Sequence, residues 1–188
     1  MNKSRLIICI TGMPGSGKST VSCAASNFGI SIVNMGDVVR EEALKRQLSL
    51  KAEDIGEIMI NIRKEMGEDA VARLCLPRIF SFESDIILVD GIRSPAEIYT
   101  FKKIGKVKIL AIDASKGIRR GRLLNRGRAD APYREETFDE RDQKEKSVGV
   151  EKVMAIADKI LSNDKLTAKE FIDNVTKILK SWIDEHED

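Results

Sequence analysis

The stretch that decides the fold lies near the N-terminus and reads Gly12-Met13-Pro14-Gly15-Ser16-Gly17-Lys18-Ser19-Thr20. It contains a complete GxxxxGK[ST] pattern, in which glycines let backbone N–H groups converge on phosphate oxygens at the start of a helix. A short apolar, β-branched run, Leu6–Ile10, precedes it, and a helical pattern over Val21–Phe28 follows it. This strand–loop–helix context predicts a loop that binds a nucleoside triphosphate, and it disfavours a glycine-rich turn with an incidental lysine.

Each part of this P-loop has an expected role. The stretch from Gly12 to Thr20 is predicted to contact ATP, with the amine of Lys18 reaching the β- and γ-phosphates. The hydroxyl group of Ser19 is predicted to ligate Mg²⁺. The expected cofactors are therefore ATP and Mg²⁺.

Working outward, apolar runs predict further strands, which are Ile30–Val33, Ile86–Val89, Val107–Ile112 and, more weakly, Lys159–Leu161. Helical periodicity occupies the segments between them, namely Val38–Leu48, Ile55–Met66, Ala70–Phe80 and Ala96–Ile104. A last amphipathic helix follows the capping box Thr167-x-x-Glu170. Alternating strands and helices predict a three-layer α/β P-loop fold, with a five-stranded parallel sheet, helices on both faces and a small helical lid. We expect one domain over residues 1–188.

The composition excludes several classes of protein. The 188 residues carry a net charge of +2 and 42% hydrophobic residues, which suits one folded core and argues against nucleic acid as a partner. Cys9, Cys23 and Cys75 form no CxxC pair, so we expect reduced thiols within the core. No apolar stretch approaches the roughly 18 residues that span a bilayer, which predicts a cytoplasmic protein without a membrane partner. The oligomeric state stays open.

Charged residues follow two of the predicted strands. Asp37 and Arg40 come after the second strand, and Asp90 and Arg93 come at the end of the third. Ligands of open α/β sheets bind at the carboxyl ends of the strands. We expect Asp90 to assist Mg²⁺ binding, and the two arginines to clamp a second phosphorylated molecule.

Other interpretations of these residues stay open. Asp90 precedes a glycine and could be a turn aspartate. Arg40 could be a solvated helix residue that pairs with Glu41 or Glu42. Asp37 could cap the helix that runs to Leu48, or act as a general base if the acceptor is a hydroxyl group.

Residues 116–128 form a block in which every charged side chain is basic. It holds no acidic residue and six basic ones, Lys116, Arg119, Arg120, Arg122, Arg126 and Arg128. One interpretation is a solvated helix face. The other, which we favour, is a basic lid at about 116–147 that closes on a polyanion.

Three motifs together resemble those of the nucleoside monophosphate kinases, adenylate kinase above all. They are GMPGSGKST at 12–20, GDVVR at 36–40 and VDGIR at 89–93. The segment Ala157–Asn163 and the helix after it resemble dephospho-CoA kinase more closely. The whole chain is most similar to an archaeal group of P-loop proteins that lies between these two kinases.

The resemblance implies roles by position. Arg40 and Arg93, with Asp37, would bind the acceptor. Arg122 would stack on the donor adenine, and Asn163 would lie near the donor base. The implied catalytic residues are Lys18, Arg126, Arg128 and Arg141.

The chain departs from adenylate kinase after Arg93. Glu97 occupies the place of a glutamine that reads adenine in that kinase, and a carboxylate cannot donate to a ring nitrogen, which disfavours AMP. The competing interpretation, which we favour, is a capping box formed by Ser94 and Glu97, with Pro95 at the first helical position.

The leading hypothesis is a kinase that transfers the ATP γ-phosphoryl group to a nucleotide-like small molecule. This acceptor would be a nucleoside monophosphate, slightly favoured by the acceptor-side motifs, or a dephospho-CoA-like compound. The alternative is a regulatory ATPase or switch protein without a small-molecule acceptor.

Overall fold

The computed structural model describes residues 4–125 and 135–187, which contain one five-stranded sheet. Its strands are β1 (Arg5–Thr11), β2 (Ser31–Asn34), β3 (Ile86–Ile92), β4 (Gly105–Asp113) and β5 (Lys159–Ser162). They run parallel in the order β2-β3-β1-β4-β5. The predicted parallel sheet is confirmed, and β1 with its P-loop lies at its centre.

Helices cover both faces of this sheet, as predicted. Within the described ranges they are α1 (Lys18–Ser26), α2 (Met35–Lys45), α3 (Ala52–Met66), α4 (Ala70–Ser81), α5 (Pro95–Lys102), α6 (Lys116–Asn125), α7 (Glu135–Val148), α8 (Val150–Ala155) and α9 (Ala168–Glu187). Helices α1 and α9 pack on one face, where Phe171 and Trp182 are buried. Helices α2 to α5 and α8 pack on the other. None of these helices is long and apolar enough to cross a membrane.

Two element boundaries differ from the prediction in ways that affect the site. Helix α2 begins at Met35, because the Oδ1 atom of Asn34 accepts hydrogen bonds from the backbone N–H groups of Gly36 (2.8 Å) and Asp37 (3.2 Å). The interpretation of Asp37 as the cap of this helix is therefore wrong. Strand β3 continues to Ile92, which pairs with β1, so Asp90 lies inside a strand and is not a turn aspartate.

The two predicted capping boxes are confirmed. Ser94 is the N-cap residue of α5 and forms the box with Glu97. Thr167 and Glu170 exchange hydrogen bonds at the start of α9. The expectation for the cysteines is only partly correct, because Cys9 and Cys75 are buried whereas Cys23 is exposed on α1.

Candidate active site

The P-loop connects β1 to α1 in a conformation that requires glycine. Gly12 has φ +143°, and a Cβ atom there would lie 2.3 Å from the carbonyl oxygen of Ile112. Gly17 has φ +115°, and a Cβ atom would lie 2.5 Å from the Nδ2 atom of Asn163. The backbone of β4 thus leaves no room for a side chain at Gly12, and the Asn163 side chain stands where a side chain at Gly17 would lie.

Lys18 is the first residue of α1, and its side chain folds back over the loop. Its Nζ atom donates hydrogen bonds to the carbonyl oxygens of Gly12 (2.7 Å) and Met13 (3.1 Å). Burial lowers the pKa of Lys18 to about 8, although the charges of Asp90 and Glu145 oppose this shift. A phosphate group beside the amine would favour its protonated form, because an opposite charge stabilises the cation.

Asp90 lies next to this lysine with one oxygen atom uncommitted. Its Oδ2 atom accepts a hydrogen bond from the hydroxyl group of Ser22 (3.2 Å). Its Oδ1 atom is buried and has no hydrogen-bond partner among the described residues. Burial raises the pKa of Asp90, with Lys18 acting in the opposite direction.

The surroundings of Asp90 fit a divalent cation that is shared with phosphate. Mg²⁺ prefers octahedral oxygen coordination and usually takes one or two protein ligands, with water and phosphate as the others. The free Oδ1 atom of Asp90 and the hydroxyl group of Ser19, in the first turn of α1, are ligands of this kind. In the described part of the chain, no cluster of three or more His, Cys, Asp or Glu side chains forms a complete metal site by itself.

One cavity joins the P-loop lysine to the residues that follow β2 and β3. It has a volume of about 500 Å³ and is lined by Lys18, Asn34, Gly36, Asp37, Arg40, Asp90, Gly91 and Arg93. The structure therefore brings together Lys18, Asp90 and the three residues predicted for the acceptor. They converge because β2, β3 and β1 are adjacent in the sheet and end at the same edge.

Arg40 enters this cavity with a carboxylate partner. Its Nη1 atom lies 2.8 Å from the Oδ1 atom of Asp37, one helical turn earlier on α2. The alternative pairing with Glu41 or Glu42 is wrong, because Glu41 pairs with Arg78 and Glu42 with Arg46. Arg40 and Asp37 are both about half exposed to solvent.

Arg93 also has a carboxylate partner, but a buried one. Its Nε and Nη2 atoms lie 2.5 Å and 3.2 Å from the two carboxylate oxygens of Glu145 on α7. Its Nη1 atom donates to the carbonyl oxygen of Gly91 (2.9 Å). Glu145 is not among the predicted site residues.

Glu97 acts as a structural residue behind Arg93. Its fully buried carboxylate accepts hydrogen bonds from the backbone N–H groups of Arg93 (2.8 Å) and Ser94 (3.0 Å), and it pairs with Arg63 of α3. The capping interpretation is thus correct, and this carboxylate is fully engaged within the protein. Glu97 therefore gives no reason to exclude AMP as an acceptor.

Arg122 and Asn163 lie together on the other side of the P-loop. Arg122 donates to the carbonyl oxygens of Ser16 (3.1 Å) and Asn163 (2.7 Å), and the Asn163 side chain donates to the same Ser16 oxygen (2.8 Å). In this arrangement they support the loop from behind. Their predicted contact with the donor base stays a prediction.

The remaining lid residues are only partly described. Arg141 lies on α7, and its positive charge acts to lower the pKa of both Lys18 and Glu145. Arg126 and Arg128 lie outside the described residues.

Arg119 is absent from the predicted site, yet it joins the P-loop to α6 and α7. It is buried, and its guanidinium group forms a two-pronged ion pair with Asp142 (2.8 and 2.5 Å). The same group donates to the carbonyl oxygen of Pro14 (3.1 Å) and lies over the ring of Phe138. The interpretation of the basic block at residues 116–128 as a solvated helix face is therefore wrong at Arg119. One signal was available, because a helical turn puts Arg119 on the same face as Arg122.

Comparison with known proteins identifies the family of the chain. A family model for the AAA domain matches residues 11–139. A UPF0200 protein of Pyrococcus abyssi is 40% identical over 164 residues, which covers 85% of this chain and 88% of that protein. A UPF0200 protein of Hyperthermus butylicus is 41% identical over 175 residues, covering 93% of this chain and 94% of that protein.

Solved structures of low sequence identity share the fold. Shikimate kinase from Bacteroides thetaiotaomicron superposes with a TM-score of 0.61 at 15% identity, covering 95% of this chain and 98% of that one. TT1252 from Thermus thermophilus gives a TM-score of 0.67 at 19% identity, with the same coverage. The resemblance to P-loop kinases and to an archaeal group is thereby confirmed. The chain belongs to the UPF0200 family and carries an AAA domain with the fold of the P-loop kinases.

Proposed function

We propose that this protein is a kinase that transfers the γ-phosphoryl group of ATP to a nucleotide-like small molecule, either a nucleoside monophosphate or a dephospho-CoA-like compound. One observation carries the proposal. The cavity of about 500 Å³ is lined both by the P-loop lysine, Lys18, and by the predicted acceptor residues Asp37, Arg40 and Arg93. A donor phosphate at Lys18 and an acceptor at these residues would share one open cavity.

The donor half of the reaction would rest on the P-loop. Its backbone N–H groups and Lys18 would hold the phosphates of ATP. Ser19 and Asp90 would hold Mg²⁺, which neutralises charge on the transferring phosphoryl group. The uncommitted Oδ1 atom of Asp90 supports this role.

The acceptor half would rest on positioning, because phosphoryl transfer needs alignment and charge neutralisation more than covalent chemistry. Asp37, Arg40 and Arg93 would orient the acceptor beside Lys18. Arg141, together with Arg126 and Arg128, would balance charge in the transition state. Arg122 and Asn163 would lie beside the donor base.

The rival function is a regulatory ATPase whose bound state is read by another protein. A switch of this kind needs the P-loop but has no use for a second charged pocket beside it. The acceptor side of the cavity therefore favours the kinase.

Calorimetry and an acceptor screen test the proposal. Lys18→Ala should weaken ATP·Mg²⁺ binding by about 10–100-fold, since it removes a charged hydrogen-bond donor. Lys45→Ala, an exposed lysine on α2, is the matched control and should bind like the wild type. ADP formation is then measured with each nucleoside monophosphate and with dephospho-CoA. ATP hydrolysis that no acceptor stimulates would support the regulatory ATPase instead.

A further inference from the structure

We propose that Glu145 determines the specificity of the acceptor side. Its carboxylate holds the guanidinium group of Arg93. The site therefore favours an acceptor that presents a hydroxyl group over one that presents a phosphomonoester. This inference rests on the proposed function, since it names the class of acceptor for the same cavity. It concerns a residue that no motif of the chain indicates.

The geometry of the pair leaves Arg93 poorly available. Glu145 contacts two nitrogen atoms of its guanidinium group at 2.5 Å and 3.2 Å, and the carbonyl oxygen of Gly91 takes a third at 2.9 Å. The Glu145 side chain is 9% exposed and that of Arg93 is 18% exposed. The Nε–Nη2 edge of the guanidinium group, one of the two edges that bind a phosphate with two parallel hydrogen bonds, is therefore occupied by a carboxylate of the protein itself, and Gly91 takes a donor of the other edge.

Displacing Glu145 would be costly. A phosphate that took its place would leave a buried carboxylate without its counterion, which is one of the more unfavourable changes inside a protein. Burial disfavours the ionised form of Glu145, but the charge and hydrogen bonds of Arg93 outweigh it and keep the pKa of this carboxyl below its usual value, so it does not escape by protonation near neutral pH.

The other acceptor-side arginine is paired as well, since Arg40 lies 2.8 Å from Asp37. A phosphomonoester would bring up to two negative charges to a cavity whose two arginines already face carboxylates. A hydroxyl group brings none. It could approach Lys18 and the γ-phosphate without displacing either carboxylate from its arginine.

With a hydroxyl acceptor the transfer step balances within this site. The hydroxyl oxygen forms a bond to the γ-phosphorus, and the bond from that phosphorus to the β,γ-bridging oxygen breaks. The electron pair of the broken bond leaves with ADP. The hydroxyl proton passes to the carboxylate of Asp37, which lines the same cavity.

Binding measurements on the full chain test the role of Glu145 without requiring turnover. The protein is first saturated with the non-hydrolysable analogue AMP-PNP and Mg²⁺, which fills the P-loop. AMP, GMP, CMP and UMP are then titrated into the wild type and into Glu145→Gln. We expect the best-bound monophosphate to bind about 10–100-fold more tightly to the variant, because the Nε–Nη2 edge of Arg93 becomes available to a charged ligand.

Two further variants keep the experiment interpretable. Glu145→Asp retains the charge and should bind monophosphates as weakly as the wild type does. Glu140→Gln removes an exposed carboxylate from the same helix and should also leave the affinity unchanged. Thermal melts identify any variant that fails to fold, and Glu145→Ala, which also removes the carboxylate, then takes the place of Glu145→Gln.

Two results would overturn the inference. One is a monophosphate affinity that is the same in Glu145→Gln and the wild type. The other is a wild-type enzyme that phosphorylates a monophosphate with a kcat/KM equal to or above that for dephospho-CoA or nucleosides. Failure of AMP-PNP to bind would count against the proposed function alone. A gain of monophosphate binding in Glu145→Gln, together with no phosphoryl transfer to any acceptor of the screen, would keep the effect of Glu145 on Arg93 and reject the kinase.

Discussion

The two halves of the candidate site are built differently. The P-loop half reaches the cavity through Lys18, but its shape is set by backbone, with glycines such as Gly12 and Gly17 in conformations that other residues rarely adopt. The acceptor half is made of side chains, and both of its arginines, Arg40 and Arg93, are paired with carboxylates. The geometry of a backbone site is set by residues that are consecutive in the sequence. The geometry of a site built from ion pairs is set by the tertiary packing of elements that can be far apart in the sequence.

The distinction appears in how far apart the partners lie along the chain. The Asp37–Arg40 pair spans one helical turn, but Arg93 and Glu145 are separated by 52 positions. The P-loop is also stabilised by a residue far along the sequence, because Arg119 donates a hydrogen bond to the carbonyl oxygen of Pro14. Variants in each half should therefore fail in different ways.

The largest expected effect is in the backbone half. Gly12→Ala should remove measurable ATP binding, because its Cβ atom would lie 2.3 Å from the carbonyl oxygen of Ile112 and its φ of +143° is strained for alanine. Calorimetry with ATP·Mg²⁺ measures this. Gly117→Ala on α6 is the control, since no atom lies within 4 Å of the added Cβ. The control should bind ATP normally, and normal binding in Gly12→Ala would mean that the loop adjusts easily.

The next effect concerns the side-chain support behind the P-loop. Arg119→Ala should lower the free energy of unfolding by about 3–5 kcal/mol, because it leaves the buried Asp142 carboxylate without a counterion. Urea denaturation measures the loss. Lys116→Ala breaks the exposed pair with Asp139 and should cost less than about 1 kcal/mol.

A double variant separates the charge of this pair from its packing. In Arg119→Met/Asp142→Leu no buried charge is left unpaired, so most of the stability lost in Arg119→Ala should return. ATP affinity should be lower than in the wild type both in Arg119→Ala and in the double variant, because each lacks the hydrogen bond from Arg119 to the carbonyl oxygen of Pro14. Full recovery of ATP affinity would show that this bond does not support the loop.

The same contrast explains what could be predicted from the sequence. The parallel sheet, the P-loop and the capping box at Glu97 follow from local patterns, and all three are confirmed. The positions of Asp37, Arg40, Asp90 and Arg93 around one cavity follow from the rule that parallel strands end at one edge. Glu145 could not be assigned this way, because a charged residue on a polar helix looks solvated until its packing partner is known. For Arg119 the only signal was its position one helical turn from Arg122, which does not reveal its partner Asp142.

A third, smaller effect addresses the chemistry of the acceptor half. If the acceptor presents a hydroxyl group, Asp37→Asn should lower kcat by about 100-fold or more, since the site loses the carboxylate that takes the proton. If the acceptor is a monophosphate, the loss should be slight, because the attacking group is already an anion. Steady-state kinetics with the acceptor found in the screen decides between these outcomes.

Melting temperature and a matched variant make the Asp37 result specific. Asn34 supplies the cap of α2, so Asp37→Asn should change the melting temperature little. Glu41→Gln removes an exposed carboxylate from the same helix and should leave kcat unchanged. An equal fall of kcat in both variants would point to the general charge of α2 and not to proton transfer.

The smallest expected effect separates the position of Asp37 from its chemistry. Asn34→Ala should lower the free energy of unfolding by about 1 kcal/mol, because the N–H groups of Gly36 and Asp37 lose their shared acceptor. Asn34→Asp retains an oxygen at this place and should keep the stability of the wild type. Because α2 carries Asp37 and Arg40 into the cavity, fraying of its first turn should raise the KM for the acceptor while ATP affinity stays constant. A change in ATP affinity without a change in acceptor KM would place Asn34 in the donor half, and the division of the cavity into two halves would then be wrong at this residue.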